Sequence, residues 1–278
     1  MGINRGVRGF ASAHRVDVWS GIGVRDRLQS SRFELKYVVS EEKARAIRES
    51  LRIRLFPDAY TQPDGTGYTV NSLYLDSDGL DLCNATVQGH KNRFKLRVRW
   101  YEGDGEKPYF MEIKRRVDDQ ILKKRAAVGV DAVREMLGGH LPQRSHLYSE
   151  SDLHSKLGVL DEFCRLRNSL HASGAVYVRY CREAWIPDEH ETARVTFDRN
   201  LHGSEFSGEF NPSSDSWSCV QPRGTILELK FTDRVPGWMR RMVSDFNLNR
   251  ESVPKYVSCA AGINNCRNRL MLARWENS

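Results

Sequence analysis

Hydrophobic and polar residues alternate strictly along several short segments of the chain, which is the pattern of a half-buried β-strand. The clearest case is the segment 93–100, where a base occupies every second position. Successive side chains of a strand point to opposite faces. One face therefore carries Arg93, Lys95, Arg97 and Arg99, and the other carries Phe94, Leu96, Val98 and Trp100. Taken alone, this pattern predicts an ordinary amphipathic strand with one solvated face.

The same alternation predicts further strands, and helical spacing of hydrophobic residues predicts the elements between them. The additional strands span 33–39, 68–75, 109–116, 175–185, 193–200 and 225–232. Helices are predicted after Ser40, over 131–137 and 153–170, near Pro236 and from Tyr256 onwards. Gly103-Asp104-Gly105 predicts a hairpin turn. Residues 1–30, rich in Gly, Arg and Ser, predict a disordered tail before one α+β domain over 31–275.

Charged residues of the predicted strands share one face, in the same phase as the row at 93–99. The bases on that face are Lys36, Arg93, Lys95, Arg97, Arg99, Lys114, Arg116, Arg179, Arg194 and Lys230, and the acids are Glu34, Glu112, Asp198 and Glu228. The whole chain has a formal net charge of +7. The excess of bases on this face therefore predicts an anionic partner that binds one surface of the sheet.

Two architectures fit such a sheet. An open sheet would present a basic platform to nucleic acid, whereas a closed barrel would enclose the charges and carry its helices outside. Platforms for single strands stack bases on exposed rings. Nearly every aromatic residue of the predicted strands falls on the face opposite the charges. We therefore favour a charged tunnel for phosphates.

Several common classes of site have no signature in the sequence. The six cysteines form no CxxC pair, the eight histidines show no HxxxH or HExxH spacing, and no Walker loop is present. These absences argue against a zinc ribbon, a zincin and a P-loop enzyme. No apolar run approaches the ~20 residues of a membrane span. Scattered cysteines are typical of reduced thiols, so we expect a cytoplasmic protein.

A series of short motifs in a fixed order carries a family resemblance. The motifs are Glu34-Leu35-Lys36-Tyr37, Ser72-Leu73-Tyr74-Leu75-Asp76, Lys95-Leu96-Arg97-Val98-Arg99-Trp100-Tyr101, Glu112-Ile113-Lys114, Tyr177-Val178-Arg179-Tyr180, Arg194-Val195-Thr196-Phe197-Asp198, Glu228-Leu229-Lys230 and Pro254-Lys255-Tyr256. Together they resemble the VTC domain, the polyphosphate polymerase branch of the triphosphate tunnel metalloenzymes. The resemblance covers residues 32–270 and is greatest to the bacterial stand-alone type.

The resemblance implies a closed antiparallel β-barrel of about eight strands, with helices packed on the outside. It implies phosphate contacts from Lys36, Arg97, Arg99, Lys114, Arg179 and Arg194. It also implies Mn²⁺ or Mg²⁺ held by Glu228, with Glu34 and Glu112 as further candidates, and places Lys255 near the tunnel end as a substrate-binding residue. Strand phase adds Arg93, Lys95 and Lys230 to the substrate-binding set.

The function implied is metal-dependent transfer of the γ-phosphate of ATP to a growing polyphosphate chain. Two alternatives remain open on the sequence. One is a triphosphatase of the same fold that hydrolyses tripolyphosphate or nucleoside triphosphates, and the other is a non-catalytic polyanion-binding module. The expected partners are ATP or another triphosphate and polyphosphate, with neither nucleic acid nor membrane.

Overall fold

The computed structural model describes residues 32–62, 65–102, 107–118, 120–149, 151–188, 193–212, 216–220 and 224–275. The predicted tail over 1–30 and the predicted turn at 103–105 lie outside the described residues. All six cysteines are described, and all are free thiols. Within the described part of the chain, no helix is both long and apolar enough to cross a membrane.

The fold is α+β, as predicted. The strands are β1 (Arg32–Val39), β2 (Phe56–Pro57), β3 (Tyr68–Asp76), β4 (Arg93–Tyr101), β5 (Tyr109–Val117), β6 (Gln120–Val128), β7 (Ser173–Ile186), β8 (Arg194–Glu205), β9 (Ser218–Cys219) and β10 (Thr225–Thr232). The helices are α1 (Glu41–Leu51), α2 (Asp81–Val87), α3 (Val130–Leu137), α4 (Leu153–Ser169), α5 (Gly237–Asp245), α6 (Lys255–Gly262) and α7 (Asn264–Trp275), with a 3₁₀ turn at Arg144–His146. Every predicted strand and helix is present, whereas β2, β6, β9 and α2 were not predicted.

All strand pairs are antiparallel, and eight strands form one curled sheet. Their order is β1-β10-β8-β7-β3-β4-β5-β6, while the short β2 and β9 pair with β7 and β8. The prediction of a closed barrel was wrong, because the edge strands β1 and β6 approach each other but are not joined by a ladder. Alternation predicts a curled amphipathic sheet, but closure depends on strand tilt and stagger, which alternation does not specify.

We call the gap between the edge strands β1 and β6 the seam. An ion pair spans it from the concave side, where Lys114 Nζ on β5 lies 3.2 Å from Glu34 Oε2 on β1. Side chains therefore connect the two edges of the sheet in place of backbone hydrogen bonds.

Helices cover the convex face of the sheet on two sides. The helices α3 and α4 pack on β4, β5 and β6 through an apolar cluster that includes Met136 and Phe163. The helices α1 and α5 pack on β1, β10 and β8 through a second cluster that includes Ile47 and Met239. Ser40 caps α1 as predicted, since its Oγ accepts a hydrogen bond from Lys43 N at 3.1 Å.

The helix α6 departs from the prediction that all helices lie outside. Tyr256 on α6 stacks on Tyr74 of β3 with ring centroids 4.5 Å apart, and Tyr74 belongs to the concave face, where Arg97 contacts its hydroxyl. The helix approaches β8 closely at Gly203, where an added Cβ would lie 2.9 Å from Cys259 Cβ. This helix therefore covers part of the concave face, because a glycine leaves room for its backbone.

Candidate functional site

The concave face of the sheet, which we call the lumen face, collects the alternating charges of β4, β5 and β6. Residues that are directly opposite in an antiparallel pair point to the same side of the sheet. The register pairs Arg93 with Arg116, Lys95 with Lys114, Arg97 with Glu112, Lys114 with Lys123 and Glu112 with Arg125. One continuous charged surface therefore extends across these three strands.

The other half of the lumen face comes from β1, β10, β8 and β7. The register pairs Lys36 with Glu228, Glu34 with Lys230, Lys230 with Arg194, and Asp198 with Arg182. Lys255 enters the same space from the first turn of α6. The structure therefore brings together Glu34, Lys36, Arg93, Lys95, Arg97, Arg99, Glu112, Lys114, Arg194, Glu228, Lys230 and Lys255 among the residues predicted from the sequence.

Glu228 lies at the centre of this second half, and four cations surround its carboxylate. Lys255 Nζ and Lys230 Nζ each lie 2.7 Å from a carboxylate oxygen, and Lys36 Nζ and Arg182 Nη2 each lie at 3.3 Å. Burial disfavours the ionised form, but Lys230, Lys255 and Lys36 outweigh it and lower the pKa of Glu228 well below its usual value. Glu228 is therefore an anion that organises basic side chains.

The basic row on β4 has few carboxylate partners. Arg97 pairs with Glu112 at 2.6 Å, and Arg99 Nε and Nη2 donate to Ser72 Oγ and Tyr180 Oη, each at 3.2 Å. Lys95 has neither an ion pair nor a hydrogen bond among the residues that the structure describes. Burial, together with the nearby Lys36 and Lys114, lowers its pKa to about 8. Positive charge in this part of the lumen is left without a counter-ion from the described chain.

Arg179 does not lie on the lumen face, which corrects the prediction that it shares one face with the other cations. It is opposite Asn71 in the register, and it stacks on Trp217 at 4.3 Å and pairs with Glu102 at 2.7 Å, on the convex side. Alternation shows which residues share a face but not which face turns inward. Here the inward residues include Val178, because α6 covers that part of the lumen face and makes it apolar.

Three lumen cations were missed in the sequence. Arg182 lies three residues after Arg179 on β7 but faces the lumen, where it pairs with Asp198 at 2.7 Å. Lys123 and Arg125 lie on β6, which was not recognised because the adjacent Lys123 and Lys124 interrupt its alternation. The signal that could have located β6 was Asp118-Asp119, a turn directly after the predicted strand at 109–116.

Comparison with known protein families identifies the family of this chain. The family model described as the VTC domain matches residues 31–263. The chain belongs to the VTC domain family. A search of curated proteins found no significant match to the chain.

Solved structures similar to this VTC domain are distant in sequence. A Vibrio parahaemolyticus protein, provisionally assigned as an adenylate cyclase, is 14% identical with a TM-score of 0.42, and the match covers 82% of this chain and 97% of that one. A Bacillus halodurans protein with the same provisional assignment is 14% identical with a TM-score of 0.44, and the match covers 81% and 94%. A Pyrococcus horikoshii protein is 10% identical with a TM-score of 0.41, covering 82% and 96%.

Two carboxylates of the VTC domain fit a divalent cation bound together with phosphate. No group of three or more His, Cys, Asp or Glu residues suited to a metal occurs in the described part of the chain. Glu34 and Glu228 nevertheless converge on one cation, Lys36 Nζ, at 3.1 and 3.3 Å. Mg²⁺ is commonly held by one or two carboxylates plus substrate phosphates and water. The donor chemistry of the pair therefore suits such an ion.

Glu112 does not fit a metal in the same way. Its side chain is fully buried, and it lies 2.6 Å from Arg97 Nη2 and 2.5 Å from Lys123 Nζ. Burial opposes its ionisation, but Arg97 and Lys123 outweigh that effect and lower the pKa of Glu112 well below its usual value. Its contacts make it a residue that positions lumen cations.

Aromatic side chains also line the lumen face of the VTC domain, which corrects the prediction that nearly all of them lie opposite the charges. The rings on this face are Tyr68, Tyr74, Tyr101, Phe110 and Tyr180. Burial favours the neutral phenol of Tyr74, but Arg97, Lys95 and Arg99 outweigh it and lower its pKa to about 8. Aromatic and basic residues are therefore neighbours in the lumen.

Proposed function

We propose that this VTC domain transfers the γ-phosphate of a nucleoside triphosphate, ATP in the simplest case, to the end of a polyphosphate chain held in the lumen. The observation that carries the proposal is the uncompensated charge of the lumen face. Arg93, Lys95, Arg99 and Arg125 point into it and form no ion pair with any carboxylate that the structure describes. A polyanion would supply the missing counter-charge.

The arrangement of these cations in rows suits an extended anion. Successive cations on β4 are two residues apart, which is about 7 Å along a strand. Rows on β5, β6 and β10 flank that strand or face it, so consecutive phosphates would meet cations from several directions. A single carboxylate or a monophosphate would use only one position of such a row, which is why we favour an extended substrate.

Phosphoryl transfer depends mainly on alignment and charge neutralisation, and the lumen residues offer both. The guanidinium groups of Arg97 and Arg99 are held by fixed partners, so they would reach phosphate oxygens without much reorganisation. Lys36, Lys114 and Lys255 would add ammonium donors. Glu34 and Glu228 would hold the Mn²⁺ or Mg²⁺ implied by the resemblance, and such an ion neutralises charge on phosphate oxygens.

The ionised lumen carboxylates support phosphate, and not water, as the acceptor of the phosphoryl group in this proposal. The pKa values of Glu34, Asp198 and Glu228 are all lowered, because neighbouring cations outweigh the effect of burial. Such carboxylates are weak general bases for activating water. The end of a polyphosphate chain is already an anionic nucleophile and needs no base. This contrast supports a polymerase over a triphosphatase.

The test is incubation of purified protein with ATP and Mn²⁺, followed by gel analysis of chain length and assay of orthophosphate. We expect long polyphosphate from the unaltered protein and none from Lys114→Ala. The matched control is Arg115→Ala, because Arg115 is the next residue on β5 and pairs with Glu162 at 2.7 Å on the convex face. It should retain at least half of the activity.

Each alternative gives a different result in the same assay. Orthophosphate without polyphosphate would replace the proposal with a triphosphatase. Tight triphosphate binding without either product would indicate a non-catalytic polyanion-binding module. Equal losses in Lys114→Ala and Arg115→Ala would show that the lumen face is not the site.

A further inference from the structure

Three tyrosines form an aromatic cluster beside the lumen cations, which we call the aromatic rim. The rings of Tyr60 and Tyr101 are parallel within 4°, with centroids 6.4 Å apart. Tyr68 tilts against both, at 5.4 Å from Tyr60 and 6.0 Å from Tyr101. The side chain of Tyr60 is 36% exposed. A partly open aromatic cluster therefore borders the basic lumen face.

A buried carboxylate fixes this rim to the lumen. Asp58, only 8% exposed, accepts hydrogen bonds from Thr61 N at 3.0 Å and from Tyr68 Oη at 3.0 Å. It also pairs with Arg194 Nη2 at 2.6 Å. The turn that carries Tyr60 is thereby linked to a lumen cation and to a second ring of the rim. Such a fixed arrangement would bind a flat ligand at a low cost in ordering.

Tyr101 extends the basic row of β4 by one position. It is two residues from Arg99 on the same face, and Arg97 and Lys95 follow at steps of about 7 Å. An aromatic ring followed by a line of cations is the complement of a nucleoside triphosphate, in which a flat base is followed by a line of phosphates. An inorganic polyphosphate would contact the cations but would have no base to stack on the rings.

We propose that the aromatic rim of Tyr60, Tyr68 and Tyr101 stacks on the base of a nucleoside triphosphate whose phosphates lie along the β4 cations. This inference rests on the proposed function for the location of the phosphates. It adds that the site distinguishes a nucleotide donor from inorganic tripolyphosphate, although both carry the same reacting group. Stacking on aromatic side chains tolerates any base, so we expect little selection among bases.

Isothermal titration with ATP and with tripolyphosphate, each in Mg²⁺, tests the inference by binding alone. For Tyr60→Ala we expect ATP affinity to fall about tenfold, equivalent to about 1.4 kcal/mol. Tripolyphosphate affinity should stay within twofold. Tyr60→Phe keeps the ring and should bind both ligands as the unaltered protein does. The matched control is Tyr148→Ala, because Tyr148 is 42% exposed outside the rim.

Three outcomes would overturn the inference. The first is an unchanged ATP affinity in both Tyr60→Ala and Tyr101→Ala. The second is an equal loss of affinity for both ligands in Tyr60→Ala, and the third is the same loss of ATP affinity in Tyr148→Ala. Failure of the proposed function looks different. If the Tyr60 variants change ATP binding as expected but no polyphosphate forms, the inference about the aromatic rim holds and the proposed polymerase activity is contradicted. If neither ligand binds the unaltered protein, both proposals fall.

Discussion

At the scale of single residues, adjacent lysines on β6 give the sharpest test of which face of the sheet binds phosphate. Lys123 points into the lumen beside Glu112, and Lys124 pairs with Glu162 at 2.8 Å on the convex face. For Lys123→Met we expect tripolyphosphate affinity to fall roughly tenfold, since a charge-assisted hydrogen bond contributes about 1.5–3 kcal/mol. Isothermal titration measures the change.

Lys124→Met is the control for this pair, because it removes the same charge one residue away. Its affinity for tripolyphosphate should remain within twofold of the unaltered protein, since exposed ion pairs contribute little. If both variants weaken binding to the same extent, net charge and not the lumen face would be responsible.

Lys95 predicts how triphosphate binding depends on pH. Its pKa is lowered to about 8, by burial first and then by the nearby cations Lys36 and Lys114, against the opposing effect of Tyr74. A bound phosphate favours the charged ammonium, so binding takes up a proton when the pH exceeds this pKa. Affinity for tripolyphosphate should therefore fall as the pH rises from 7.5 to 9.5.

Lys95→Arg isolates this effect, because arginine stays charged throughout that range. The variant should show a smaller decline in affinity between pH 7.5 and 9.5, because Tyr74 and Lys230, with pKa values of about 8, still titrate in it. An identical pH profile in the variant and the unaltered protein, measured by titration calorimetry, would exclude Lys95 as the titrating group.

The residue scale also shows where sequence reasoning was sufficient and where it was not. On β4, cations and hydrophobic residues alternate over the whole strand, so the inward set was predicted correctly from Arg93 to Arg99. On β7, the lumen-facing residues are apolar at Val176 and Val178, and the first charged one is Arg182. The change arises because α6 covers one part of the strand, and such tertiary contacts leave no periodic signal.

At the scale of elements, the attachment of α1 to the sheet depends on one buried carboxylate. Glu183 on β7 has no exposed surface, and it forms two hydrogen bonds with Arg48 of α1 at 2.7 and 2.8 Å and one with Arg199 at 2.8 Å. For Glu183→Gln we expect the free energy of unfolding to fall by about 3 kcal/mol, because Arg48 loses its counter-charge and Arg199 keeps only Glu41.

Urea denaturation measures this change, and Glu49→Gln serves as the control. Glu49 also lies on α1 and pairs with Arg52 at 3.4 Å, but both side chains are largely exposed. It should change the free energy of unfolding by no more than about 0.5 kcal/mol. Equal effects of the two substitutions would mean that Glu183 is not what holds α1 in place.

Some elements could be read from the sequence and others could not. Strand β4 was predicted to within one residue of its observed end because its alternation is unbroken. Strand β6 was missed because Lys123-Lys124-Arg125 places a cation on both faces, and the outward Lys124 is satisfied by Glu162 from α4. An outward charge that a distant helix neutralises cannot be distinguished from a solvated loop in the sequence alone.

At the scale of the whole molecule, a ligand in the lumen should stabilise the fold against heat. Its phosphates would bridge cations on strands from both halves of the sheet. At one hundred times its dissociation constant, a ligand that binds only the folded protein adds about 2.7 kcal/mol. Differential scanning calorimetry with saturating tripolyphosphate should therefore show a rise in Tm of about 5–10 °C.

Sodium sulfate at the same ionic strength is the control, since it supplies anions that cannot span the lumen. The absence of a Tm rise with tripolyphosphate, or an equal rise with sulfate, would contradict a multi-strand phosphate site. The sequence predicted seven of the eight strands by alternation, together with the basic face of the sheet, and missed β6. It could not predict the open seam, which depends on how far the sheet curls as a whole.

The open seam between β1 and β6 has a consequence for the handling of a polymer. A chain inside a closed tube must thread through its ends, so the enzyme would release it only by sliding. In this protein the seam is crossed on the concave side by a partly exposed ion pair between Lys114 and Glu34. A phosphate bound to Lys114 would weaken that ion pair and let the product leave the lumen through the seam. For the proposed polymerase we therefore expect distributive synthesis with a broad range of product lengths.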